Sequence, residues 1–231
     1  MTTVLLVRHG LTALTGPVLA GRTPGVDLDE RGRAQAAAVA QRLAGVALQA
    51  IVTSPLDRCR QTAEVIAAGR PVETEPRLIE CGYGDWTGQE IKKLAKDPLW
   101  KVVQAHPSAV TFPGEGGEAM RDAQVRAVDA IRSWNAKLGT EATWLACSHA
   151  DIIKAIVADA LGMHLDTFQR IVIDPCSVTV ITYTSLRPFV VRVNDTGSDL
   201  ATLLTPPKKS GRKRSTTAGS DAVVGGGAGA N

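Results

Sequence analysis

Two histidines and two arginines stand at corresponding places in the chain, and their chemistry points to one kind of ligand. Arg8-His9-Gly10 follows the apolar run Val4-Leu5-Leu6-Val7, Arg58 follows Thr53-Ser54-Pro55 closely, and His149 follows a run that ends at Cys147-Ser148. Guanidinium forks match the oxygens of a phosphate. An imidazole, with an ordinary pKa of about 6.5, is available near neutral pH as a nucleophile or proton carrier. One loop histidine would be incidental. Two of them with two arginines suit a compact, multiply charged anion, and phosphate is the obvious candidate.

The elements around these residues explain why they should meet. Residues 3–7, 49–53 and 143–147 are short runs rich in β-branched and aliphatic side chains, each followed by a loop or helix signal, and they read as buried strands. Between them, residues 30–43 form an Ala-rich helix with Ala36, Val39, Ala40 and Leu43 on one face. Ser54 as N-cap with Pro55 at the first helical position opens a helix to about residue 68. Thr87 and Glu90 have capping-box spacing. Residues 116–138 carry Met120, Ala123, Ala127, Ile131, Trp134 and Leu138 at helical spacing, and residues 151–161 are helical. Residues 178–183 and 189–193 read as a closing pair of strands. Strands alternating with helices predict an α/β fold with a largely parallel sheet. In such sheets ligands bind beyond the carboxyl ends of the strands, where Arg8, His9, Arg58 and His149 fall.

Several motifs in order carry a resemblance. Val7-Arg8-His9-Gly10 with Thr12, then Thr53-Ser54-Pro55-Leu56-Asp57-Arg58, then Leu78-Ile79-Glu80 with Gly84-Asp85-Trp86-Thr87-Gly88, then Phe112-Pro113-Gly114-Glu115-Gly116-Gly117-Glu118, then Ser148-His149, resemble the histidine phosphatase superfamily over residues 2–195. That superfamily includes cofactor-dependent phosphoglycerate mutases and many small phosphatases. The resemblance implies a three-layer sandwich like that of the phosphoglycerate mutases, with a mostly parallel sheet flanked by helices. It implies that His9 takes up the phosphoryl group, that Arg8, Arg58 and His149 clamp it in place of a metal ion, and that Glu80 is the general acid and base. Where the family often has an Asn that helps hold phosphate, this chain has Thr15, whose hydroxyl can still donate one bond. Leu11 stands where the family often has a polar residue, commonly Glu.

The expected activity is metal-independent hydrolysis of a small phosphorylated metabolite through a phosphohistidine, with no cofactor. A mutase is the runner-up, because the segment after Glu80 is short and lacks the basic insertions of phosphoglycerate mutases. A non-catalytic phosphate-binding or regulatory protein is the alternative from another class. Other phosphatase chemistries fit less well. No cysteine has Arg six residues on, Asp27-Leu28-Asp29 reads as a helix cap, and Cys147 with His149 lacks a companion pair for zinc. Gly114-Glu115-Gly116-Gly117 lacks the Lys-Ser/Thr of a P-loop. His106 and His164 read as surface or structural residues.

Charge separates the body from its end. Lys208, Lys209, Arg212, Lys213 and Arg214 against the lone Asp221 make residues 205–231 more positive than the whole chain, whose net charge is +3, so residues 1–204 are slightly acidic. A nucleic-acid-binding body would need a basic face, and with aromatics at 4% a base-stacking platform is also disfavoured. No apolar run approaches the ~18–20 residues that span a bilayer. Cys59, Cys81, Cys147 and Cys176 are scattered, as expected of reduced thiols in the cytoplasm. The catalytic domain is expected to be 1–204 and the tail 205–231 to be disordered, so that truncation after Leu204 should leave turnover nearly unchanged. A homo-oligomer is left open.

Overall fold

The computed structural model describes residues 1–197 and 224–228. Along the chain run β1 (Thr2–Arg8), α1 (Glu30–Arg42), β2 (Ile51–Thr53), α2 (Asp57–Ala67), β3 (Glu73–Thr74), α3 (Ile91–Leu94), α4 (Pro98–Ala105), α5 (Met120–Leu138), β4 (Thr143–Ser148), α6 (Ala150–Ala160), β5 (Val178–Tyr183) and β6 (Pro188–Asp195). The sheet has six strands in the order β3-β2-β4-β1-β5-β6. β3, β2, β4 and β1 are parallel, and the hairpin β5–β6 is added antiparallel to β1. This is the mostly parallel α/β sheet that the alternation of elements predicts, with the expected strand pair at its edge.

The side-chain period of two decides the layers. From β1, Val4 and Leu6 join the core on one face and Leu5 and Val7 the core on the other. β4 divides likewise, with Trp144 and Ala146 opposite Leu145 and Cys147. The first face is covered by α5 through Ala127, Ile131 and Trp134 and by α6 through Ile152, Ile153 and Ile156. The second is covered by α1 through Ala36 and Val39 and by α2 through Ala63 and Ile66. A sheet buried on both faces explains why its central strands are apolar runs rather than alternating ones.

Several boundaries differ from the sequence expectation for local reasons. α2 begins at Asp57, and its cap residue is Leu56, without a side-chain cap bond. The Ser54 hydroxyl is taken instead by His149 Nε2 at 2.8 Å. Glu90 caps the single-turn helix α3 without a side-chain bond, so the Thr87/Glu90 box is not formed. α5 starts at Met120, because Gly117 and Ala119 pair with Tyr83 and Thr111 as isolated bridges. α4 and β3 carried no clear signal. Asp29 does cap α1, accepting from Gly32 N at 2.8 Å. At that turn the backbone of Gly10 meets Gly32 so closely that a Cβ on Gly10 would lie 2.6 Å from Gly32 O. The close approach fixes the loop after β1 on the start of α1.

The tail expectation needs correction in one part. Val224 is 1% exposed and belongs to the core beside α5 and α6, so residues 224–228 are packed on the domain. An apolar side chain followed by glycines lets the backbone lie close to buried donors. The basic run 208–214 lies outside the described residues.

Candidate active site

The site forms where β1 and β4 end side by side. Arg8 pairs with Ser148 in the parallel register, so His9 and His149 leave adjacent strands at the same level. His9 N donates to Ser148 O at 3.0 Å, and the rings meet edge to face with centroids 5.3 Å apart. From α2, Arg58 reaches between them. Its Nε donates to His9 Nε2 at 3.3 Å and its Nη2 to His149 Nδ1 at 3.2 Å and Gly21 O at 2.7 Å. Arg8, His9, Arg58, Glu80 and His149 are all buried.

The partners fix the tautomers. A carbonyl oxygen only accepts, so the 2.8 Å contact of His9 Nδ1 with Gly10 O puts the proton on Nδ1. Nε2 then carries a lone pair facing the guanidinium of Arg58. Burial, together with the charges of Arg58 and Arg8, holds the His9 pKa well below its ordinary value, so the imidazole is neutral at pH 7. His149 is likewise depressed, by burial and then by Arg58. Its Nδ1 accepts from Arg58, so its Nε2–H donates to Ser54 Oγ. Among the described residues, Arg8 Nε and Arg58 Nη1 are buried with no hydrogen-bond partner. Buried donors of a charged group are costly when unpaired, and two of them in one cluster are suited to an anion.

Glu80 lines the same pocket. Its Oε1 accepts from Cys81 N at 3.0 Å and its Oε2 lies 3.9 Å from His149 Nδ1. Burial, reinforced by the charge of Asp151, pushes its carboxyl up to about 7. The segment that carries it is held by its carbonyls. Arg126 donates to Ile79 O at 2.8 Å and Glu80 O at 3.1 Å, and Arg22 donates to Glu80 O at 2.8 Å. Glu118 in turn binds both arginines, at 2.6 Å and 2.8 Å. Upstream, Glu75 accepts from Arg77 and from Trp134 Nε1, which ties this segment to α5.

All five of these site residues are brought together. Thr15 also lines the pocket, along with Thr12 and Gly21, but its hydroxyl is engaged with Thr12, at 2.9 Å to Thr12 Oγ1 and 3.0 Å from Thr12 N. Leu11 is buried. Asp85, the nearest other acid in its motif, is exposed and lies against Gly114. Asp151 escaped notice: it is fully buried, accepts from Tyr83 OH at 2.9 Å and pairs with Lys154 at 3.2 Å. An Asp in the first turn of a helix ordinarily complements the dipole, so its position gave no distinctive signal. Residues 224–226, which wall the pocket, fall in the stretch whose composition reads as a disordered tail. Among the described residues no helix is long and apolar enough to cross a membrane, and no group of three or more His, Cys, Asp and Glu is arranged to hold a metal.

Comparison with known proteins identifies the family. The chain is 31% identical over 209 residues to phosphoserine phosphatase 1 of Hydrogenobacter thermophilus, covering 85% of this chain and 93% of that protein. It is 30% identical over 214 residues to the probable phosphoglycerate mutase GpmB of Photorhabdus laumondii, covering 89% and 97%. Its fold is similar to that of Bacillus stearothermophilus YhfR, with a TM-score of 0.75 and 29% identity over 84% of this chain and 98% of that one. The family model of the histidine phosphatase superfamily (branch 1) matches residues 4–196, and the chain belongs to that superfamily.

Proposed function

We propose that the protein hydrolyses small phosphomonoesters without a metal, through a phosphohistidine on His9. The observation that carries this reading is a neutral imidazole whose Nε2 lone pair faces Arg58, in a cluster where Arg8 and Arg58 each keep one buried N–H donor unpaired. In the first step His9 Nε2 forms a bond to phosphorus, the P–O ester bond breaks, and the Glu80 carboxyl gives its proton to the leaving oxygen. In the second step water attacks phosphorus, the N–P bond breaks, and the Glu80 carboxylate takes the water proton. Arg8 and Arg58 offset the charge of the phosphoryl oxygens. His149 accepts from Arg58 at Nδ1; a bound dianion favours a proton there and converts His149 into a further donor. Thr15 is a weaker contributor, its hydroxyl being shared with Thr12.

Turnover of a panel of phosphomonoesters, in the presence and absence of EDTA, tests the reading. Release of phosphate that EDTA leaves unchanged supports it; no release from any ester, with phosphate still bound, favours the non-catalytic alternative. The likeness to a probable phosphoglycerate mutase keeps transfer in view. Interconversion of phosphoglycerates with 2,3-bisphosphoglycerate present, faster than hydrolysis, would identify a mutase. The four cysteines are buried free thiols, which supports a reducing, cytoplasmic setting. Strand β6 is a sheet edge that exposes Phe189, Val191 and Val193. Such an edge suits pairing with a second copy, and a chromatographic mass twice that of the chain would support a dimer.

A further inference from the structure

The residues that close the pocket come from the far end of the chain. Arg8 Nη1 donates to Gly227 O at 2.7 Å as well as to Ile173 O at 2.8 Å, and Arg8 Nη2 donates to Gly226 O at 3.0 Å. Gly225 N donates to Asp151 Oδ2 at 2.9 Å. Val224 is buried in the core and anchors the segment. The fit is specific to glycine. Gly225 and Gly226 have φ of +74° and +71°. A Cβ on Gly226 would lie 2.3 Å from Ala150 Cβ and 3.0 Å from Arg8 Cζ, and one on Gly225 would lie 2.7 Å from Leu19 Cδ1.

We propose that the phosphate clamp is also a peptide-binding site, and that residues 224–228 are its own built-in ligand, competing with the phosphomonoester. The inference rests on the reading of the clamp given above. Backbone carbonyls present partial negative charge to the same guanidinium that a phosphoryl group needs. With the segment seated, Val224, Gly225 and Gly226 line the same pocket as Arg8, His9, Arg58 and Glu80. Two carbonyls bind a guanidinium less strongly than a dianion does. Their advantage is tethering, which gives an intramolecular ligand an effective concentration on the order of millimolar. Substrate therefore displaces the segment only when abundant, and the segment raises KM more than it lowers kcat.

The test uses the full-length chain with Gly226→Leu and, separately, Val224→Asp. Binding of inorganic phosphate is measured by calorimetry, and KM and kcat on an aryl phosphate by steady-state kinetics. A segment seated about nine-tenths of the time weakens apparent affinity about tenfold. Each variant should therefore bind phosphate about tenfold tighter, with a matching fall in KM and a smaller change in kcat. A synthetic peptide of residues 221–231, added at several millimolar to the Gly226→Leu protein, should raise KM again. Unchanged or weaker phosphate affinity in both variants, or a peptide without effect, overturns the proposal. The two readings separate cleanly. Tighter phosphate binding without hydrolysis of any ester defeats the phosphatase reading and leaves the peptide site, whereas hydrolysis with unchanged phosphate affinity defeats the peptide site alone.

Discussion

Replacing Glu80 by Gln isolates the proton that the proposed chemistry needs. Glu80 is 4% exposed, and burial beside Asp151 lifts its carboxyl to about 7. At pH 7 about half of the molecules then carry the acid proton, against about 0.3% for a carboxyl at its ordinary value near 4.5. His9 is held neutral to well below pH 6.5, so the acidic side imposes no early loss of nucleophile. For an alkyl phosphate, whose leaving oxygen needs protonation, kcat/KM should be level near pH 6 and fall about tenfold per unit once the pH is well above 7. Gln preserves the oxygen that accepts from Cys81 N at 3.0 Å, so the segment keeps its shape while the proton is lost. Glu80→Gln should lower kcat on the alkyl ester about 10²–10⁴-fold, equivalent to about 3–5 kcal/mol of barrier, and flatten the alkaline limb. The loss should be much smaller on an activated aryl ester. Steady-state rates on both esters from pH 5 to 9 decide the matter. Equal losses on the two esters, or an alkaline limb that survives the substitution, would refute the assignment.

His9→Ala should abolish turnover, and rapid acid-free quenching of the wild type should trap a base-stable, acid-labile phosphohistidine; an alanine variant with full activity excludes His9 as the acceptor. Glu75 bears on stability rather than chemistry. Hydrogen bonds from Arg77 hold its carboxyl down to about 2, so its contribution is complete above about pH 4.5 and is lost as the pH falls toward 2. Glu75→Gln should cost about 1–3 kcal/mol at pH 7, read as about 2–4 °C of Tm per kcal/mol. That difference should shrink in acid, and a gap unchanged at pH 2 contradicts the linkage.

Much of the fold was legible because its strands are buried on both faces and must be apolar runs such as Val4-Leu5-Leu6-Val7. The positions of Arg8, His9 and His149 followed from the rule that parallel strands gather their carboxyl ends on one side. Glu80 was legible only through the resemblance, since its segment has no periodicity and is held by Arg22, Arg126 and Glu118 from distant parts of the chain. Ser54 looked like a cap because capping and side-chain recognition use the same hydroxyl, and only tertiary structure decided for His149. The glycines after Val224 have the composition of a linker, and nothing local to them discloses the guanidinium that they meet.

The place of β1 in the sheet has a consequence for how the protein is made. This strand is made before every other strand of its sheet, yet its neighbours are β4 and β5, whose pairings with it begin at Thr143 and end at Tyr183. At synthesis rates of about 5–20 residues per second, β1 waits about 10–35 s for both partners. Until then its apolar run is unpaired along both edges, a state that favours chaperone capture and off-pathway association. No nascent chain that stops short of β4 contains both His9 and His149, so the reacting centre is assembled only after β4 has been made.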